Sequence, residues 1–173
     1  LPTINDILDW AGRKVGLLGI ETTNVLIRDV VKDTFDAVQW MADTKGVRIK
    51  QVLVDGSLKI MGNMGDLRKM LVNLLDNAVK YTPSGGIVTL SIQKINNEVK
   101  IEIADTGIGI PESELDKIFT EFYRSENAKQ STQYGTGLGL SIVKRIVDAH
   151  KGNISVSSKL GKGTNFTVLL PAS

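Results

Sequence analysis

The sequence contains no cysteine and only one histidine among its 173 residues. Without cysteine, the chain cannot form a disulfide framework, a thiolate zinc site, an iron–sulfur cluster or a cysteine nucleophile. A single histidine excludes a metal site built from several histidines. Disulfide-rich scaffolds, thiol enzymes and multi-histidine metalloenzymes are therefore excluded.

The chain also lacks a dominant charge and a long apolar run. Its 21 basic and 19 acidic residues are mixed along the sequence and give a net charge of +2, which argues against a nucleic-acid-binding surface. No apolar stretch approaches the roughly 20 residues that span a bilayer. Asn5, Asp6 and Asp9 argue against a signal peptide. The length fits one globular domain, and the first residue, Leu1, indicates a fragment of a longer chain.

Apolar side chains recur at helical spacing in five segments. This period predicts an opening helix through residue 15, and then helices over about 24–45, 64–81, 112–119 and 138–149. Thr23 or Asn24 is expected to cap the second helix, and Gly46 is expected to end it. The polar segment 125–135 has no apolar period, so we expect a mobile loop there.

Alternation of apolar and polar residues predicts strands in the middle and at the end of the chain. Strands are expected at 48–54, 59–61, 88–92, 99–103, 154–156 and 166–170. Asn96 and Asn97 indicate a hairpin turn between the third and fourth of these. The last four strands look antiparallel, with helices segregated around them, which predicts an α+β fold of two layers.

Three polar residues fall on one side of the helix predicted for 64–81. Asn73, Asn77 and Lys80 are spaced four and three apart, which at about 100° per residue places them on one stripe beside the apolar face. Amide oxygens suit magnesium, and a lysine ammonium suits phosphate. A solvated polar face explains the stripe equally well, although asparagine is mildly unfavourable inside a helix.

Two glycine-rich segments have the character of ligand-binding loops. Asp105, followed by Gly107 and Gly109, combines a carboxylate that can accept from an amino group such as that of adenine with a backbone that a ligand can approach closely. Residues 135–140 open the last predicted helix, where free N–H groups favour an anion. Alone, the first segment could be a capped turn and the second a hinge, and neither fits the dinucleotide or Walker fingerprint.

An aromatic cluster precedes the polar loop. Phe119, Phe122 and Tyr123 are followed by Arg124. These aromatics could anchor one end of a lid, with Arg124 facing a phosphate. Core packing is at least as good an explanation for the two phenylalanines.

Taken in order, these segments resemble the N, G1, F and G2 boxes of sensor histidine kinases. The boxes correspond to residues 66–83, 105–111, 119–124 and 135–140, and the resemblance extends over about 21–170. Four boxes in the correct order and spacing are far more specific than any one of them. The resemblance implies the ATP-binding α/β sandwich shared with gyrase, Hsp90 and MutL ATPases: an α+β, two-layer fold with a mixed, mostly antiparallel sheet covered by helices on one face.

The resemblance implies roles at the phosphate end of a Mg-ATP site. Asn77 would coordinate magnesium, and Asn73 would lie in the same region. Lys80 and Tyr81 would contact the phosphates, and Arg124 would approach the γ-phosphate. Catalysis would therefore rest on Asn73, Lys80 and Arg124.

At the nucleobase end, the resemblance implies that Asp105 binds the adenine amino group. The other residues implied to bind the nucleotide come from the G1 and G2 boxes: Gly107, Gly109, Ile110, Gly135, Thr136, Gly137, Leu138 and Gly139. The glycines of the G2 box would be the hinge and phosphate contact of a lid.

Two departures limit the implied reaction. ATPase relatives carry a glutamate general base at the position of Asn73, and an amide cannot take a proton. No acceptor-histidine box precedes the resemblance, and His150 is expected to be structural. The chain is thus interpreted as a catalytic domain, residues 21–173, preceded by residues 1–20 from a dimerisation helix and its linker.

The implied function is transfer of the ATP γ-phosphoryl to a histidine on the absent dimerisation domain, for relay to a response-regulator aspartate. That domain and the response regulator are the implied partners, and nucleic acid is not one. We expect a monomeric, cytoplasmic fragment of a homodimeric parent, with membrane anchoring of the parent left open. The alternatives are a self-sufficient ATPase of the same superfamily, which the amide of Asn73 disfavours, and a degenerate docking module, which the intact boxes disfavour.

Overall fold

The computed structural model describes residues 21–53, 55–132 and 135–173. The helix and linker expected over residues 1–20 lie outside these ranges. Strands and helices alternate irregularly along the described chain. The helices are α1 (Ile27–Lys45), α2 (Met64–Lys80), α3 (Glu126–Ser131) and α4 (Gly139–Ala149). The strands are β1 (Thr23–Leu26), β2 (Arg48–Leu53), β3 (Lys59–Gly62), β4 (Ile87–Ile95), β5 (Glu98–Asp105), β6 (Asn153–Lys159) and β7 (Gly163–Pro171).

Five strands form one mixed sheet in the order β2-β4-β5-β7-β6. The four strands β4 to β7 pair antiparallel, as the alternation predicts. The strand alternation predicts only these four strands as one set. The sheet has a fifth strand, because β2 pairs in parallel with β4 at the edge. Strand β3 and helix α2 lie between β2 and β4 in the chain, and such a long crossover allows two strands to run in the same direction.

The core lies between one face of this sheet and the helices. Alternate residues of the central strands are fully buried, including Leu90, Ile101 and Val168. Leu71 and Leu74 are fully buried on α2 in the same cluster. The neighbouring positions on the strands are largely polar, as period-two burial of one sheet face requires. The α+β, two-layer prediction is confirmed.

The beginning of α1 differs from the prediction. Residues 23–26 form β1, which pairs antiparallel with β3 in a separate two-stranded sheet. Thr23 and Asn24 are therefore strand residues, and no side chain caps the helix at Leu26. The polar pair resembles a cap locally, but Val25 lies opposite Ile60 and is buried, so pairing with β3 decides the conformation. Gly46 ends the helix in the left-handed conformation, as expected.

Two short segments on either side of the F box also differ from the prediction. The helix expected over 112–119 is reduced to a 3₁₀ turn at Glu112–Glu114, because so short a segment gains little from helical cooperativity. Conversely, α3 lies within the expected loop 125–135. The Ser125 side chain caps this helix, and Ala128 is its buried residue. The mobility of this segment stays a prediction.

Among the described residues, no helix combines the length and apolar character needed to cross a bilayer.

Candidate functional site

A cavity of about 520 Å³ opens between α2, the segment after β5 and the beginning of α4. Most of the residues predicted from the four boxes line it. They are Asn73, Asn77, Lys80, Tyr81, Asp105, Gly109, Ile110, Arg124, Gly135, Thr136, Gly137 and Gly139. Gly107 and Leu138 are absent from the lining, and the Leu138 side chain is buried in the core.

The stripe predicted on α2 faces one end of this cavity. Asn73, Asn77 and Lys80 are all half-buried, so the stripe is not a solvated face. The Asn73 amide donates to the Lys69 carbonyl at 2.8 Å. Its Oδ1 lies against Gly139, where an added Cβ would be 3.0 Å away. The amides of α2 thus meet the first turn of α4, whose N–H groups favour an anion.

The charge at this end of the cavity is mixed. The Lys80 ammonium lies 3.4 Å from the Asp76 carboxylate on the preceding turn of α2. Both side chains are partly exposed, so the pair itself adds little to stability. An incoming phosphate can draw the ammonium away from Asp76 without leaving a buried charge unpaired.

The donor set of this end fits magnesium held jointly with a nucleotide. In the described ranges, no three carboxylate or histidine side chains come close enough to hold a metal ion. Magnesium takes oxygen ligands and is commonly held by few protein groups together with substrate phosphates and water. The Asn77 amide can supply such an oxygen at the cavity wall.

At the other end of the cavity, Asp105 is held by backbone N–H groups. Its Oδ1 accepts from Gly107 N at 2.8 Å and from Thr164 N at 3.2 Å. Burial raises the pKa of the Asp105 carboxyl above its ordinary value, and these two hydrogen bonds partly counter the rise. With Oδ1 occupied, Oδ2 is left to accept from a ligand amino group.

The glycines after Asp105 allow the loop to pack against two neighbours. Gly109 has a φ of 71°, and a Cβ there would lie 2.2 Å from the Lys159 carbonyl oxygen. A Cβ at Gly107 would lie 2.5 Å from the Tyr81 carbonyl oxygen. Gly107 therefore shapes the site from behind the wall, whereas Gly109 lines it.

Thr164 is a site residue that the sequence reasoning missed. It lines the cavity beside Asp105 and donates its backbone N–H to that carboxylate. The sequence signal is weak: Gly161 and Gly163 are typical of a turn between two strands and do not by themselves indicate a ligand. Strand pairing across β5 and β7 brings Thr164 to a residue 59 positions away.

The side of the cavity next to α3 is built around Arg124. Its Nη2 donates to the Thr132 carbonyl at 2.7 Å and the Ala128 carbonyl at 3.3 Å, and so holds the end of α3. Its Nε is buried without a hydrogen-bond partner in the described part of the chain. A contact between Arg124 and a phosphate stays a prediction.

The aromatic residues of the F box have three different environments. Phe119 packs edge-to-face on Phe166 with ring centroids 6.2 Å apart, so core packing explains this residue. Phe122 is 59% exposed and adopts a φ of 63°, so core packing does not explain it. The Tyr123 hydroxyl donates to Glu114 at 2.5 Å, which raises the pKa of Tyr123 to about 12.

Both ring nitrogens of His150 are occupied by backbone groups. Nε2 accepts from Asn63 N at 3.1 Å, so the proton is on Nδ1, which donates to the Ile146 carbonyl at 2.8 Å. The side chain is buried and does not line the cavity. This geometry is that of a structural histidine.

Comparison with known proteins identifies the arrangement. Residues 62–173 match the family described as histidine kinase-, DNA gyrase B- and HSP90-like ATPase. The chain belongs to this family. Within it, the named relatives are sensor kinases, so the chain is a catalytic domain of the histidine-kinase type.

Three similar proteins illustrate the relationship of this catalytic domain. The adaptive-response sensory kinase SasA of Synechococcus sp. (strain JA-3-3Ab) is 47% identical over 169 residues, which are 97% of this chain and 44% of that kinase. Full-length ShkA, solved in complex with AMPPNP, is 29% identical with a TM-score of 0.83, covering 98% of this chain and 35% of ShkA. Histidine kinase ThkA, solved with response regulator TrrA, shares the fold at 19% identity and a TM-score of 0.80, covering 98% of this chain and 47% of ThkA.

The catalytic domain spans between 21% and 44% of the length of the named relatives that it matches. Those relatives therefore contain extensive sequence with no counterpart in this chain.

Proposed function

We propose that this catalytic domain binds Mg-ATP in its cavity and donates the γ-phosphoryl group to a histidine on the dimerisation domain of its parent chain, for relay to a response-regulator aspartate. One observation carries the proposal: a single cavity unites the amide stripe of α2, the Asp105 carboxylate and the glycine-rich beginning of α4. The described chain offers no acceptor, since both nitrogens of its single histidine bond to the backbone.

Each end of the cavity would bind one part of the nucleotide. Asp105 Oδ2 accepts from the adenine amino group, and the N–H groups at the beginning of α4 face the phosphates. Lys80 and Arg124 would add positive charge there, and the Asn77 oxygen would hold the metal ion. Bound magnesium would neutralise charge on the phosphates, so the protein contributes chiefly position and electrostatic stabilisation.

Asn73 argues for transfer to another domain rather than for hydrolysis by this chain alone. Its amide nitrogen is bonded to the Lys69 carbonyl, and an amide has no site for a proton from an attacking water. The attacking nucleophile would instead be a histidine supplied by the partner domain. Tight packing of Asn73 against Gly139 positions α2 relative to the anion-binding turn of α4.

The remaining assignments concern the parent protein. We propose a monomeric fragment, a homodimeric parent and a cytoplasmic location for this domain. The shared fold with ThkA, solved in complex with a response regulator, supports that class of partner. The near balance of basic and acidic residues in the sequence argues against nucleic acid as a partner.

Titration with a fluorescent ATP analogue and magnesium tests the binding step. Asp105→Ala should bind at least about tenfold more weakly than the native chain, because it loses a charged hydrogen-bond acceptor. The control is Asp36→Ala, on the exposed face of α1, which should bind like the native chain. Undiminished binding by Asp105→Ala would remove the adenine assignment. A native chain that binds no nucleotide would favour the docking-module alternative.

A second measurement separates transfer from hydrolysis. Adding the dimerisation domain of the parent should yield phosphohistidine on that domain, whereas the isolated chain should not turn over ATP steadily. Steady turnover at ordinary enzyme rates by the isolated chain would instead favour the self-sufficient ATPase.

A further inference from the structure

Ser158 on β6 lies at the centre of a hydrogen-bonded group behind the nucleobase end of the cavity. Its Oγ is 2.8 Å from Ile110 N, 2.9 Å from the Gly163 carbonyl oxygen and 2.8 Å from Thr164 Oγ1. Ile110 and Thr164 both line the cavity. A single hydroxyl thus connects the loop after β5 to the turn before β7.

The direction of each hydrogen bond in this group follows from counting protons. Ile110 N–H can only donate, and the Gly163 carbonyl can only accept, so the one proton of Ser158 is given to Gly163. The Thr164 hydroxyl must then donate to Ser158. With its proton used, Thr164 Oγ1 can offer only an acceptor to any further group.

The same counting applies to Asp105 beside it. Oδ1 already accepts from Gly107 N and Thr164 N, which leaves acceptor capacity on Oδ2. Asp105 and Thr164 therefore present acceptors to the cavity and no side-chain donor. A ligand amino group is satisfied there, whereas a ligand carbonyl oxygen meets unsatisfied acceptors and loses its hydration.

We propose that Ser158 is a positioning residue that sets the preference of this site for a 6-aminopurine over a 6-oxopurine nucleotide, by holding the Thr164 hydroxyl as an acceptor. The proposal rests on the proposed nucleotide-binding function. It adds a residue that does not itself line the cavity and acts through Thr164. Without the Ser158 hydroxyl, the Thr164 proton is free to turn toward a ligand carbonyl.

Competition of ATP and inosine triphosphate against a fluorescent ATP analogue tests this inference, because the two nucleotides differ at position 6 and in the N1 proton. Ser158→Ala should lower the ratio of ATP affinity to inosine triphosphate affinity by about three- to tenfold, the range of one neutral hydrogen bond. The matched control is Ser157→Ala, which alters the exposed neighbour on the same strand and should keep the native ratio. Ser158→Thr retains the hydroxyl and should also keep it.

The outcomes separate this inference from the proposed function. A folded Ser158→Ala chain that binds ATP with the native ratio overturns the inference and leaves nucleotide binding intact. A native chain that binds neither nucleotide overturns both. If Ser158→Ala does not fold, Ser158→Cys supplies the same test, because a thiol is only a weak acceptor for the Thr164 proton: a lowered ratio supports the inference, and an unchanged ratio overturns it.

Discussion

The two oxygens of Asp105 have different surroundings. Oδ1 accepts two backbone hydrogen bonds, while Oδ2 has acceptor capacity for a ligand. Because the carboxylate is largely buried, its charge is unfavourable in the ligand-free domain, as the raised pKa shows. A binding residue of this kind lowers stability until its ligand arrives.

Replacing Asp105 with asparagine should therefore stabilise the empty domain at neutral pH. A raised pKa in the folded state contributes stability that is present below the ordinary value of 3.8 and is lost as pH rises through the folded value. Asp105→Asn keeps the Oδ1 acceptor, and because it carries no charge it does not lose stability as the pH rises. Urea unfolding should show the variant more stable than the native chain at about pH 7, with the difference shrinking toward about pH 4. A difference that grows toward low pH would contradict the assignment.

Comparing Gly109 with Gly161 separates two costs of adding a side chain: the cost of the left-handed backbone and the cost of a steric clash. Their φ values are 71° and 74°, but a Cβ on Gly109 would meet the Lys159 carbonyl, whereas one on Gly161 would have open space. Gly161→Ala should cost only the left-handed conformation, about 1–2 kcal/mol. Gly109→Ala should lose more stability and also weaken nucleotide binding. Urea unfolding and nucleotide titration check this pair, and equal losses in both variants would refute the steric argument.

Helix α2 connects the core to the cavity. One side buries leucines, and the adjacent stripe carries the amides that face the cavity. Its last turn is held by Lys45 of α1, whose ammonium donates to the carbonyls of Val79 and Lys80. Burial and the nearby Lys80 charge lower the pKa of Lys45. Because both ends and one face of α2 are fixed, the Asn73, Asn77 and Lys80 side chains are positioned by a rigid element.

Helix α3, in contrast, is held mainly by the hydrogen bonds of single side chains, Arg124 and Asn127 among them. At six residues it is too short to be stable alone, and the Asn127 amide ties it to the Gly109 carbonyl at 2.7 Å. Asn127→Ala should increase hydrogen exchange at the amides of Lys129 and Thr132 by up to about thirtyfold, because it removes two hydrogen bonds of about 1 kcal/mol each, one to the Gly109 carbonyl and one from the Ser125 hydroxyl. The matched control is Gln130→Ala, on the exposed side of the same helix.

Exchange in the native chain also tests the predicted mobility of this segment. Amides of 126–132 should exchange quickly without nucleotide and become protected when a nucleotide fills the cavity. Strong protection in the nucleotide-free chain would show that the prediction of a mobile segment is wrong.

Across the whole molecule, His150 joins elements that are distant in sequence. It follows α4 and bonds to Asn63, the N-cap residue of α2, 87 positions away. Gly62 packs against the imidazole, where an added Cβ would lie 2.8 Å from the ring. The single histidine thus fixes the beginning of α2 relative to the end of α4.

His150→Ala should destabilise the domain by about 1–3 kcal/mol, because it leaves the partly buried Asn63 N–H without its acceptor. Nucleotide affinity of the folded protein should be unchanged, since the ring does not line the cavity. Thermal unfolding and nucleotide titration measure the two effects. The control is Lys32→Ala, on the exposed face of α1. Loss of nucleotide binding at unchanged stability would contradict a structural role.

Local patterns account for the parts of this fold that were predicted correctly. Helical and strand periods reflect which side chains of one segment share a face, so α1, α2, α4 and β4 to β7 were placed to within a few residues. The four boxes also indicated most of the residues that line the cavity. The helix predicted over 112–119 is only a 3₁₀ turn, and helix α3 lies where a loop is predicted, because short segments carry too little periodic signal.

The sequence by itself determined the local elements, the absence of thiol chemistry and the residue types available for binding Mg-ATP. Only the tertiary structure decided that residues 23–26 are a strand and that β2 runs parallel to β4. It also decided that Thr164 bonds to Asp105 and Ser158 bonds to Thr164. The physical reason is that strand pairing and proton direction depend on groups dozens of residues apart. Their meeting is fixed by the packed core and the sheet register rather than by any local period.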